Sequence, residues 1–188
     1  MLSITRWPAV VAAAAAIVTT GTACGAYQQR RQAAVPATSS VASSPRDLSA
    51  QDKTWLAQAH QGNVAEIEAG QLAQDKSGSP QIQSEAATLV TDHTQLDQAV
   101  VSTAERFQVG LPGEPTADQA AQQEQLGAIT GAAFDNQFIA YQISGHEQAL
   151  AGTNTEVAQG SDPTVRALAR QAVPVIQRHL AMLKQGRH

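Results

Sequence analysis

A single cysteine in 188 residues excludes any disulfide within the chain. Two tryptophans, two tyrosines and three phenylalanines leave few platforms on which a base could stack. Lysine and arginine together number 12 against 16 acidic residues, and the longest basic run is Arg30-Arg31. A chain that sparse in positive charge lacks a phosphate-binding surface, so nucleic acid is not an expected partner. After residue 47 there is no sustained strand alternation and no β-branched run. Without strands, neither a phosphate-cradling glycine loop nor a Gly-x-Ser-x-Gly elbow has a place to sit. No Glu-x-x-His pair occurs either, which removes the ordinary pattern of a di-iron oxidase site.

What is present begins at the N-terminus. Arg6 precedes an apolar run from Ala9 to Val18, and small residues follow to Ala23. The run is short for a membrane span and has the layout of a secretory signal, expected over residues 1–23. Gly21-Thr22-Ala23-Cys24 resembles a bacterial lipobox, except that Gly21 stands where a leucine is usual. Two outcomes follow from that tetrapeptide. Either Cys24 becomes the lipidated first residue and anchors the protein to a membrane, or cleavage near Ala23 releases a secreted protein with a free thiol. Both place the chain outside the cytoplasm, in the cell envelope or beyond it. Residues 24–46 are rich in Ala, Ser, Gln and Pro with no apolar period, the composition of a flexible tether. The folded domain is therefore expected over 47–188. Removing the signal takes away Arg6 and leaves 11 basic against 16 acidic side chains. Three lysines against nine arginines, with abundant alanine, are the composition of a high-GC bacterial genome.

Beyond residue 47 the apolar period is 3.5 to 3.6, and it predicts long helices over 48–76, 80–108, 132–159 and 163–185. Ser49 with Asp52 makes a capping pattern, Ser77-Gly78-Ser79-Pro80 separates the first two helices, and Gly160-Ser161-Asp162-Pro163 separates the last two. A shorter polar helix over 116–130 is expected to cross the open end. The seams read Leu56, Ala59, Asn63, Glu66, Gly70, Ala73, then Ile82, Ala86, Leu89, His93, Leu96, Val100. In the later helices they read Ile139, Ile143, His146, Leu150, Thr153, then Val165, Leu168, Ala172, Val175, His179, Met182. Pro174 interrupts the last of these helices. Short connections between amphipathic helices predict an all-α, up-down four-helix bundle of ferritin-like type.

Four of the seam positions are polar: Glu66, His93, His146 and His179. At about 1.5 Å per residue they fall roughly 16 to 24 Å below one end of the bundle, close enough to share a layer. Three imidazoles and a carboxylate make a first shell suited to Zn, Cu or Fe. The same four groups also fit a satisfied polar network that sets helix register. His60 sits at a similar depth on another face of the first helix and competes with Glu66 for the interior. Asp92 and Glu147, each beside a histidine in sequence, are expected to face elsewhere.

The segments Gly62-Asn63-Val64-Ala65-Glu66-Ile67-Glu68, Gln71-Leu72-Ala73, Asp92-His93-Thr94, Gly131-Ala132-Ala133-Phe134-Asp135 with Tyr141 and His146, and Val173-Pro174 through His179-Leu180 occur in order over about residues 50–184. As a set they resemble a bacterial exported family, the domain of unknown function numbered 4142, often labelled outer membrane proteins. The resemblance implies a ferritin-like bundle outside the cytoplasm and brings no established activity. It also implies that Glu66, His93, Asp135, His146 and His179 are recurring positions of the family. The expected function is a non-catalytic structural or interaction module of the envelope; the alternative is a metal-binding or metal-buffering protein, and a redox enzyme is the third class. The missing Glu-x-x-His motifs weigh against the third, so enzymatic activity is not the expectation, and no protein partner is indicated.

Overall fold

The computed structural model describes residues 47–186. The expected signal, the tether and Cys24 lie outside the described residues. Five helices occupy almost all of this span: α1 (Ala50–Lys76), α2 (Pro80–Arg106), α3 (Ala117–Gly127), α4 (Gly131–Gln159) and α5 (Pro163–Gln185). No strand occurs among the described residues, so the domain is all-α. None of these helices is long and apolar enough to cross a membrane.

Local chemistry sets the helix ends. Ser49 and Asp52 form a reciprocal capping box at the start of α1. Asp52 does more than cap, because its other oxygen accepts from Ser161 N at 2.9 Å and Asp162 N at 3.2 Å. One carboxylate thus ties the start of α1 to the turn between α4 and α5. Helix α2 ends earlier than the Gly110–Gly113 stop suggests. Gln108 adopts φ 56° and Val109 N bonds back to Ala104 O, a left-handed cap built without glycine.

Neighbouring long helices run antiparallel throughout. Helices α1 and α2 pair through Asn63 with His93 and His60 with Asp97, while α4 and α5 pair through Val157 with Arg166 and His146 with His179. Trp55 donates to Thr153, and Ser77 bonds Asp135, which sets α1 antiparallel to α4. His179 bonds Asp92, and Gly186 lies beside Glu85, which sets α2 antiparallel to α5. It follows that α2 and α4 point the same way. Strict up-down alternation therefore holds for α1–α2 and α4–α5 but not across the middle of the chain. The physical reason is that the link over residues 107–130 travels the length of the domain.

That link also corrects the expected place of the short helix. Helix α3 does not cross an end but lies along α1 and α4. Gln61 donates to Glu114 O, Gln123 to Ala65 O, and Lys76 to Gly127 O.

Two apolar clusters form the core. One gathers Leu89, Phe134, Phe138, Ile139, Ile143 and Leu183, and the other Trp55, Leu56, Val100, Val165 and Leu168. On α1 and α2 the buried polar residues Asn63, Glu66 and His93 fall between them. Along α5 the heptad reading drifts: beyond Pro174 the buried apolar positions are Ile176, Leu180 and Leu183, while Val175 and Met182 are only half-buried. A straight helix of 3.6 residues per turn rotates away from a 3.5-residue stripe, and His179 stays inward under both periods.

Candidate metal centre

Three of the four seam groups converge. His93 on α2, His146 on α4 and His179 on α5 are 5%, 1% and 2% exposed, and their ring centroids are 5.2 to 5.3 Å apart. His146 Nε2 lies 3.3 Å from His93 Nε2 and 3.1 Å from His179 Nδ1. One nitrogen from each ring falls within 4.8 Å of the other two, an arrangement that could hold a metal ion.

The outward nitrogens determine the protonation of the inward ones. His93 Nδ1 donates to Asn63 Oδ1 at 2.9 Å, His146 Nδ1 to the Gln142 carbonyl at 2.8 Å, and His179 Nε2 to Asp92 Oδ2 at 2.9 Å. All three partners are oxygens that accept, so each ring keeps its single proton on the outer side. Burial first, and the neighbouring rings second, hold His93 far below the usual histidine range and bring His146 down to about 4. Burial also lowers His179, against the opposing pull of Asp92. The rings are therefore neutral at physiological pH, and three bare lone pairs face one another. Two nitrogens that bind one ion at about 2.0 to 2.1 Å and a tetrahedral angle lie about 3.3 to 3.4 Å apart, close to the two distances from His146 Nε2.

Glu66 occupies the same layer from α1, yet its carboxylate sits outside the nitrogen cluster. Its Oε1 lies 3.4 Å from His146 Nδ1, the outer nitrogen, and its buried Oε2 has no hydrogen-bond partner. Burial pushes its carboxyl up to about 8. Gly145 makes room for it, because a Cβ there would stand 2.9 Å from Oε1. His60 takes the other option considered for α1: it pairs with Asp97 at 2.7 Å and stays out of the layer.

Asp92 does not face elsewhere, as its sequence position suggested. It reaches α5, where it accepts from His179 and lies 3.3 Å from Arg178. Glu147 does lie outward, on Lys184. Asn63 and the Gln142 carbonyl complete the set of supports, and neither carried a recognisable signal: one is a seam amide, the other is backbone. Asp135, implied as a recurring position, is far from the histidines and accepts from Ser77 Oγ at 2.6 Å in the α1–α2 connection.

A cavity of about 750 Å³ reaches this layer between α1, α3 and α4. Asn63, Glu66, His93 and His146 form part of its wall, and His179 does not.

No curated protein matches this sequence. A solved structure described as the crystal structure of a DUF305 fragment from Deinococcus radiodurans is similar, with a TM-score of 0.67 over 74% of this chain and 97% of that one. At 17% identity that likeness concerns the fold alone, and it agrees with a helical domain. The sequence also matches the family described as "Domain of unknown function (DUF4142)" over residues 37–185, so the chain belongs to that family.

Proposed function

We propose that the protein binds one divalent cation, Zn²⁺ or Cu²⁺, through His93, His146 and His179, and serves the bacterial envelope as a metal-holding protein. The observation that carries this reading is the direction of three protons. A polar network that merely filled the core would place an N–H between neighbouring rings. Here every ring N–H is committed outward to an oxygen, so the inward contacts pair acceptor with acceptor. A cation among them turns that repulsion into coordination, and outward anchoring is the usual support of metal-bound imidazoles.

The donor set favours this class of ion. Neutral imidazole suits Zn²⁺ and Cu²⁺, whereas Cu⁺ prefers thiolate or thioether and iron bundles use several carboxylates. Among the described residues no carboxylate joins the three nitrogens. One long connection between two antiparallel pairs is also the pattern of ferritin-like bundles, so the site belongs to a ferritin-like scaffold that holds one ion rather than two. The proposed setting rests on the sequence expectations: a signal-like segment over 1–23, Cys24 as the lipidation candidate, and a tether to residue 46.

Elemental mass spectrometry of the full chain tests this after equilibration with Zn²⁺, Cu²⁺ and Fe²⁺ and removal of free metal. One Zn²⁺ or Cu²⁺ per chain is expected, lost in His93→Ala while helical circular dichroism persists. Failure to retain any metal overturns the reading and returns the layer to a structural role.

A further inference from the structure

Three histidines supply three ligands, and among the described residues no fourth Asp, Glu, Cys or His completes the group. Zn²⁺ and its neighbours take four ligands or more, so a three-histidine centre keeps a position for something that is not the chain. Resting on the metal reading above, we propose that this position opens on the cavity and takes a small, neutral Lewis base with a second polar group.

The cavity has the size and the wall chemistry for such a molecule. Its volume of about 750 Å³ is within the range of small-molecule sites and far above the space one water needs. Trp55, Leu96, Val100 and Ile176 supply its apolar surface. Toward α3 the wall is neutral amide, with Gln58, Gln119 and Gln122 among the residues. No lysine or arginine lines it, and its two acids are Glu66 and Asp118, so a polyanion finds no counter-charge there. Glu66 adds the polar contact. It is 7% exposed, and its Oε2 is a buried polar atom with no hydrogen bond, on the wall shared with His93 and His146. A polar group on an incoming molecule would satisfy that oxygen, which is otherwise costly to bury.

Two glycines mark the same space. Gly62 lies within α1 and Gly152 within α4, where glycine weakens a helix. Neither has a positive φ, and a Cβ on either would meet no atom within 4 Å. Backbone strain and close helix packing therefore leave both unexplained. What they share is the cavity wall, where any larger side chain would narrow the approach to the histidines.

The test uses the full chain loaded with Co²⁺, whose visible bands report coordination, and titrated with imidazole or with azide. In the wild type, one imidazole per Co²⁺ is expected to change the bands, and azide to bind more weakly. Gly62→Leu and Gly152→Leu should each hold one Co²⁺ and keep helical circular dichroism, while binding imidazole at least tenfold more weakly. Two variants on opposite walls guard against one that folds poorly. Stoichiometric Co²⁺ with bands that ignore imidazole overturns the open position and leaves the metal reading standing. Leucine variants that bind imidazole like the wild type overturn the route, and azide that binds more tightly overturns the neutral class. Failure to bind Co²⁺ removes the metal reading and this one together.

Discussion

His179 Nε2 donates to Asp92 Oδ2 at 2.9 Å, and this bond from α5 to α2 leaves Nδ1 bare, 3.1 Å from His146 Nε2. The same Asp92 Oδ2 also accepts from the exposed Arg178 guanidinium at 3.3 Å. A carboxylate that accepts from a ligating imidazole fixes its tautomer and raises its basicity. Asp92→Ala should therefore bind Zn²⁺ about 10- to 100-fold more weakly than the wild type, with the fold intact. Competition against a chromogenic chelator reads the change, and an unaltered affinity would deny Asp92 a positioning role.

Metal should also reverse the sign of a core substitution. In metal-free buffer, His146→Leu removes one of three repelling lone pairs and adds apolar volume, so its melting temperature should equal or exceed the wild type. At free Zn²⁺ about 100 times the dissociation constant, the wild type gains about 2.7 kcal/mol and the variant gains nothing. The expected order of melting temperatures therefore inverts on adding Zn²⁺. A collapse of the variant in metal-free buffer would mean that the imidazole has an indispensable partner within the chain.

The pH dependence of the metal-free protein follows from two buried acids. Burial pushes Glu66 up to about 8 and Glu156 to about 7, from ordinary values near 4.5. Between those values the folded state holds more protons than the unfolded chain, so their stabilising share is lost as pH rises through 7 and 8. The lowered histidines act in the opposite direction, but only below their unfolded value of about 6.5. The melting temperature should therefore fall from pH 6.5 to 8.5 without metal, and Glu66→Gln with Glu156→Gln should flatten it. A flat wild-type profile over that range would show both carboxyls already ionised.

Alanine at two glycines of α1 should give opposite signs. A Cβ on Gly70 would stand 2.7 Å from Val90 Cγ2 and 3.1 Å from the Ala86 carbonyl, so Gly70→Ala should cost about 1 to 3 kcal/mol. Gly62 meets open space, and Gly62→Ala should stabilise by about 0.5 to 1 kcal/mol through helix propensity. Urea unfolding in chelator separates the two, and equal effects would contradict the packing of α1 on α2.

Apolar spacing alone made the helices legible, because a buried stripe must recur every 3.5 to 3.6 residues whatever lies beyond it. The same spacing put His93, His146 and His179 inward, and they meet. Glu66 also lies inward, but seam position fixes only a direction, and its carboxylate ends beside the outer nitrogen of His146. Asp92 was misread because a neighbour one residue from a seam histidine points at the next helix, and which helix that is depends on topology. Topology itself was hidden in residues 107–130, where a polar helix gives no apolar period to orient it. The Gln142 carbonyl is backbone and leaves no trace in residue identity.

The long connection divides the ligands unequally. Helices α1 and α2 hold His93 with its support Asn63, while α4 and α5 hold His146 and His179. Each half is a short-looped helical pair that could form locally, and neither half alone has the full set of donors. The proposed ion, bound across them, would act as a clasp added to the apolar core that both halves share. Cleavage within 107–130 would then leave two fragments whose association tightens when the metal is supplied.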